Sequence, residues 1–168
     1  MIQKYDSGVI IAAKKSLDAF LKRISTTPKT NSIKKNKFAN NADYLEIGYI
    51  QAELDRVFHG LWEWEIKLVN VAINGVYVTG NLRIFHPIAN HWITRSGIGF
   101  KEFQLSAGRK EPLPENLSSK ALERDVPIAN AEAMKNAAKT IGNAFGRGLN
   151  RKFNFEYIAD ENILNNLL

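Results

Sequence analysis

Apolar positions in this chain follow a helical period near both ends and a period of two in the middle. Val9, Ile10, Ala13, Leu17, Phe20, Leu21 and Ile24 share one face at helical spacing, which predicts an amphipathic helix over about Ser7–Ile24. The stretch Ser25–Asn41 is polar, basic and aperiodic, with Pro28 as a breaker, and reads as a linker or mobile loop. Leu45, Ile47, Ile50, Leu54, Val57 and Phe58 then restore the helical period as far as Gly60. With Asp43 and Glu46 as a variant capping box, a helix over about Tyr44–His59 is expected. Trp62, Trp64, Ile66 and Leu68 next alternate with Glu63, Glu65 and Lys67, the pattern of a half-buried strand. Asn74-Gly75 is a strong hairpin signal before a second alternating run, Val76, Val78, Leu82 and Ile84. A turn at His86–Asn90 leads into a third strand, where Gly97 and Gly99 mark a bend, a bulge or a close backbone approach.

Gln104–Pro127 is rich in Gly, Pro and Ser, with a short helix expected near Ser118–Glu123. Ala133–Arg151 reads as an amphipathic helix. At about 100° per residue, Met134, Ala138, Ile141, Phe145 and Leu149 form an apolar stripe, with Lys135, Lys139, Gly142 and Gly146 beside it. Each interior glycine costs a helix roughly 1 kcal/mol relative to alanine, so two of them call for a close approach of another backbone, protein or phosphate chain. The plain alternative is a solvated surface helix whose glycines mark a frayed end. Phe153, Phe155 and Tyr157 suggest a short strand, and the tail to Leu168 a closing helix. The expected class is α+β: an antiparallel β-meander of about three strands packed with a long basic glycine-containing helix, a β-β-β-α core flanked by N-terminal helices. The expected division is an arm over 1–41, a core domain over 42–158 and a tail over 159–168.

Charge sharpens this picture. Of the formal net charge of +6, residues 1–40 contribute nine Lys/Arg against Asp6 and Asp18, a net of +7 that leaves the body near neutral. A basic arm in front of a body whose cations gather in one helix suggests a polyanionic partner such as nucleic acid. An anionic membrane would attract the arm too, but its apolar stripe has ordinary helix length and no Trp. No stretch approaches the roughly 18 apolar residues that span a bilayer, and the N-terminus shows no signal-peptide pattern. The absence of cysteine removes disulfides, thiol catalysis and thiolate metal sites, and fits a reducing compartment.

Enzymatic motifs are sparse. No GxxxxGK[ST] phosphate loop and no GxSxG elbow occurs, and His59, His86 and His91 are badly spaced for zinc. The one enzymatic decoy is Glu65-Ile66-Lys67 with Asp55 upstream, which has the look of the Asp…Glu-x-Lys arrangement of metal-dependent nucleases. Glu-x-Lys is equally what a solvent-facing strand presents by chance.

The run Lys135-Asn-Ala-Ala-Lys139-Thr-Ile-Gly142-Asn143-Ala-Phe-Gly146 resembles the "LKRALRxFGNALG" signature of the Rad fifty-two family of single-strand annealing proteins. Tyr44-Leu-Glu-Ile-Gly resembles that family's "YIEG", and Arg95-Ser-Gly97-Ile-Gly99 its "VGYG". Together they span about Tyr44–Lys152, in the family's order. The resemblance implies rings of many subunits that hold single-stranded DNA between sheet and helix and anneal complementary strands without ATP or any other cofactor. It implies a homo-oligomer, ring or helical, and no membrane; a phage-type chain would work in the bacterial host cytoplasm, with a single-strand-binding protein or an exonuclease as a further partner. By position, Lys135 matches the lysine that grips phosphates, and Lys139 falls where the family tends to be basic. Two positions depart from the pattern: Asn136 stands where an arginine is expected, and Tyr49 where a basic residue is expected. The expected DNA-binding set is therefore Lys135, Lys139, Arg147 and Arg151, supplemented by Arg83, Arg95, Lys101, Arg109 and Lys110. The alternatives are a non-annealing nucleic-acid-binding module and a metal-dependent nuclease.

Overall fold

A three-stranded antiparallel sheet carries one long helix on one face, as the alternating pattern in the middle of the chain requires. The computed structural model describes residues 7–152, apart from Phe38 and Ile73. Helix α1 (Ser7–Ser25) is followed by two short strands, β1 (Ile33–Asn36) and β2 (Ala42–Leu45), and by helix α2 (Ile47–Phe58). The meander is β3 (Trp62–Ala72), β4 (Gly75–His86) and β5 (His91–Glu102), and helix α3 (Ala121–Lys139) closes the core. Spatial order in the sheet is β3-β4-β5, all antiparallel. This is the expected β-β-β-α arrangement with N-terminal helices.

Alternation decides which face of the sheet is covered. Val76, Val78, Leu82 and Ile84 of central β4 are all buried, while the intervening Tyr77, Thr79, Asn81 and Arg83 face outward. Helix α3 lies across β4 and β5 and barely reaches β3. For that reason Val69 and Val71, on the covered side of β3 by register with Val78 and Val76, remain 45% and 57% exposed.

The sheet and α3 meet at two glycines. A Cβ on Gly97 would overlap the Ala133 carbonyl oxygen, and one on Gly99 would overlap that of Ala129. The helix answers with alanine on this side, Ala129, Ala133 and Ala137, all fully buried. Close approach, one of the readings open for Gly97 and Gly99, is the correct one. Two apolar clusters result. One joins Phe20 of α1, Ile50, Leu54 and Phe58 of α2, Leu82 and Ile84, and the Met134–Phe145 end of α3 and its sequel. The other joins Val76, Val78, Phe103, Ala121, Ala129 and Ala133. Each large side chain fully buried there is worth about 1.5–3 kcal/mol.

Several local expectations need correction. The supposed linker contains a hairpin: Ile33–Asn36 pairs antiparallel with Ala42–Leu45, Ile33 opposite Leu45, so pairing crosses the 41/42 division. A strand as short and polar as IKKN carries no local signal; its partner makes it one. Because Ala42–Leu45 is a strand, α2 starts at Ile47. Glu46 is its N-cap without a side-chain cap bond, and Asp43 pairs with Lys35 at 2.7 Å. The helix stops at His59, which adopts a left-handed φ of 54°. The β3–β4 hairpin closes between Ala72 and Gly75, so Gly75 opens β4 instead of sitting in the turn.

The largest correction concerns the last helix. It spans Ala121–Lys139, not Ala133–Arg151, and absorbs the short helix expected near Ser118–Glu123. Pro127 lies inside it, on the exposed side, where its missing N–H is least costly. After Lys139 the chain turns through Asn143–Phe145, a single 3-10 turn capped by Gly146 at φ 87°. The glycines therefore end the helix, and are not interior to it. Ile141 and Phe145 are buried and Leu149 packs against the core, so the apolar residues keep their inward role without helical spacing. The strand expected at Phe153, Phe155 and Tyr157 and the closing helix to Leu168 lie outside the described residues.

Candidate nucleic-acid interface

The end of α3, the loop after it and the β1–β2 hairpin enclose a cavity of about 570 Å³. Lys135 and Lys139 reach it from α3, Arg147 and Arg151 from the loop, and Asn36, Asp43 and Tyr44 from the hairpin. Four cations share its lining with two carboxylates, Asp43 and Glu132.

Hydrogen bonds between one side chain and the opposite backbone hold the two walls together. The Asp43 N–H donates to Asn150 Oδ1 at 2.8 Å, and Asn150 Nδ2 donates to the Asp43 carbonyl at 2.7 Å. Asn150 itself sits at φ 60°, a conformation that asparagine tolerates better than most residues. Arg147 fixes the other end of the loop. Its Nε donates to the Lys139 carbonyl at 3.2 Å and its guanidinium to the Thr140 carbonyl, two acceptors that the end of α3 leaves open. At Gly142 a Cβ would overlap the Ile24 carbonyl oxygen, so α1 packs directly on this turn.

Lys135 is the most enclosed of the four cations, with its side chain 12% exposed. It pairs with Glu132 one turn earlier on α3, and its ammonium lies 5.7 Å from the centroid of the Tyr44 ring. Lys139 donates to Asn136 Oδ1 at 3.1 Å. Its ammonium titrates below the ordinary lysine range because the surrounding protein strips part of its water; Glu132 pulls it up and Lys135 pushes it down. The lining thus holds more cations than carboxylates, and one of the cations is partly stripped of water.

The other expected contacts are elsewhere. Arg83 is on the outer face of the sheet, pairing with Glu63 at 2.9 Å and lying 5.0 Å over the Trp92 ring. Arg95 is in register with Leu82 and Lys101 with Val76. Since Gly99 meets Ala129 and Gly97 meets Ala133, that register sets Arg95 beside the last turn of α3 and Lys101 beside its first half. Arg109 and Lys110 belong to the loop between β5 and α3. None of these five residues lines the cavity. The two departures from the family pattern have local uses. Asn136 Nδ2 donates to the Ile98 carbonyl at 2.9 Å, tying α3 to edge strand β5, and Tyr49 packs against the core with its hydroxyl titrating high, chiefly through burial.

Tyr44, Asn150 and Glu132 are site residues that charge alone did not select. Tyr44 stood in the sequence as part of Tyr44-Leu-Glu-Ile-Gly, and only the β2 register turned it toward Lys135. Of the nuclease-like residues, Asp55 Oδ1 accepts from Trp62 Nε1 at 2.7 Å, and Glu65, opposite Asn81 in the sheet, pairs with Lys67. Among the described residues, no three His, Asp or Glu side chains converge as a metal site. Nor is any described helix long and apolar enough to cross a membrane. Compared with known proteins, the chain matches no family model, and no curated protein is significantly similar to it.

Proposed function

We propose that this protein binds single-stranded DNA and anneals complementary strands without ATP, as a homo-oligomer and without chemistry of its own. The observation that carries the reading is the gathering of Lys135, Lys139, Arg147 and Arg151 on one cavity, beside the tyrosine ring of Tyr44. Annealing requires phosphates to be gripped while base edges stay free, and lysine and arginine around an open cavity supply that grip without reading sequence. The order of the three family-like motifs supports the same reading.

Assembly is part of the proposal. One cavity accommodates only a short stretch of strand, so a stable, aligned complex needs many copies in a row. Both β3 and β5 are edges of the three-stranded sheet. Ile66, Leu68, Val69 and Val71 of β3 are each about half exposed, a run that another chain would cover. Head-to-tail repetition of such a contact closes a ring or grows a helix.

The test is a fluorescence annealing assay with two complementary oligonucleotides and no nucleotide. Faster duplex formation supports the proposal; binding without acceleration favours the non-annealing module. Cleavage of the strands on adding magnesium would mean a nuclease. Light scattering that finds only a monomer, with and without DNA, while annealing is complete would overturn the assembly.

A further inference from the structure

The cavity already holds an anion of its own. Glu132 lines it from α3 and pairs with Lys135, the most enclosed of the four cations. Its carboxylate is 39% exposed, open enough to swing away, whereas the other lining carboxylate, Asp43, is engaged by Lys35 from outside the lining. A carboxylate on an ammonium occupies the place, and makes the charge-assisted hydrogen bonds, that a phosphodiester oxygen would.

We propose that Glu132 is a built-in competitor for the phosphodiester, and that strand binding at Lys135 is an exchange of carboxylate for phosphate. The inference rests on the single-stranded-DNA reading above and deepens it. When a strand enters, Lys135 leaves Glu132 for a phosphate oxygen; when the strand leaves, the carboxylate returns. Neither state leaves the enclosed ammonium without an anion, which lowers the barrier between them. The cost is affinity, since the arriving phosphate displaces a partner and meets a residual negative charge. The gain is release: a strand held by exchangeable contacts can shift register against a complementary strand. Glu132 also raises the Lys139 ammonium, so its influence extends over both helix cations.

The test compares wild type, Glu132→Gln, Glu132→Ala and Glu132→Asp for binding of a fluorescent oligothymidylate over a salt series, with stopped-flow release into unlabelled competitor. Glu132→Gln and Glu132→Ala should bind about fivefold tighter at fixed salt, the upper range for a part-exposed ion pair. Their log–log salt slopes should steepen by about 0.7, one more counterion released from a single strand, and release should slow. Glu132→Asp keeps the charge and should keep the wild-type slope. A pair that merely stabilised α3 would change the melting temperature and leave the slope alone. Wild type that binds, beside Glu132→Gln and Glu132→Ala variants with unchanged affinity and slope, overturns this inference alone. Wild type that fails to bind at low salt overturns the nucleic-acid reading, and this inference with it.

Discussion

Replacing Lys135 by alanine is the sharpest perturbation of the cavity. If all four lining cations touch phosphate, counterion release at about 0.7 per contact gives about −2.8 for one protomer on a single strand, and the freed Glu132 carboxylate, which takes up a cation, returns about 0.7 of it, for a wild-type slope near −2.1. Lys135→Ala removes one contact and leaves Glu132 without its partner, facing the strand. The slope should stay near −2.1, from three contacts with no exchange, while affinity at low salt should drop by roughly tenfold, from about 1.5 kcal/mol for a charge-assisted hydrogen bond lost. The lysine faces the cavity and not the core, so the denaturation midpoint should stay near wild type. Lys101→Ala supplies the control, because Lys101 lies beside the first half of α3 and away from the cavity. It should cost less than about threefold, the worth of a distant surface charge. Fluorescence anisotropy with a labelled oligothymidylate, repeated across a salt series, measures both numbers. Equal losses of affinity for the two variants would refute the assignment of the cavity as the strand's seat.

Three further outcomes are expected. Gly97→Ala and Gly99→Ala should each destabilise by about 1–3 kcal/mol in denaturant, because a Cβ at either position drives into an α3 carbonyl; wild-type midpoints would mean the helix does not sit so close. Asn150→Ala removes both hydrogen bonds to Asp43 and should cost about 1–3 kcal/mol while weakening strand binding, measured by the same denaturation and anisotropy. Burial, with His91 beside it, lowers the pKa of His86, whose Nδ1 accepts N–H groups of the Ile88–Ala89 turn. A depressed histidine gives stability that is present above its unfolded pKa of about 6.5 and is lost as pH falls through the lower folded value. His86→Asn should flatten that acid loss in a melting series; an unchanged pH profile would rule the histidine out.

The meander was legible because period two and turn residues coincide along Trp62–Phe103. Helix α3 was misplaced for a specific reason. The face it turns to the sheet is alanine, demanded by Gly97 and Gly99 on another element, and alanine gives a weak apolar signal. Ile141, Phe145 and Leu149, strongly apolar at helical spacing, carried the expected helix past its true end at Lys139. The β1–β2 hairpin escaped notice because Ile33–Asn36 holds one apolar residue, and its pairing and its clasp to Asn150 join distant parts of the chain. Charge found the four cavity cations, but it also selected Arg83 and Lys101. Alternation along β4 already set Arg83 on the outer face, whereas only the pairing of Lys101 with Val76, which local composition does not encode, placed Lys101 at the far end.

The early end of α3 is what makes a cavity of these residues. Had the helix run on to Arg151, that residue would stand twelve positions beyond Lys139, roughly 18 Å along the axis at 1.5 Å per residue. Four cations would then form an open stripe over more than three turns, each solvated and each free to find its own counterion. Instead the chain turns back at Gly142 and Gly146, and Arg147 spends its guanidinium on the carbonyls that the broken helix exposes. Asn150 then fastens the loop to β2, so that Arg151 lines the same cavity as Lys135. Enclosing cations in this way strips water from them, an unfavourable change that the low-titrating Lys139 records and that an arriving anion offsets. On the proposed reading, phosphates along one strand would supply that anion repeatedly, with Glu132 standing in for one of them between strands.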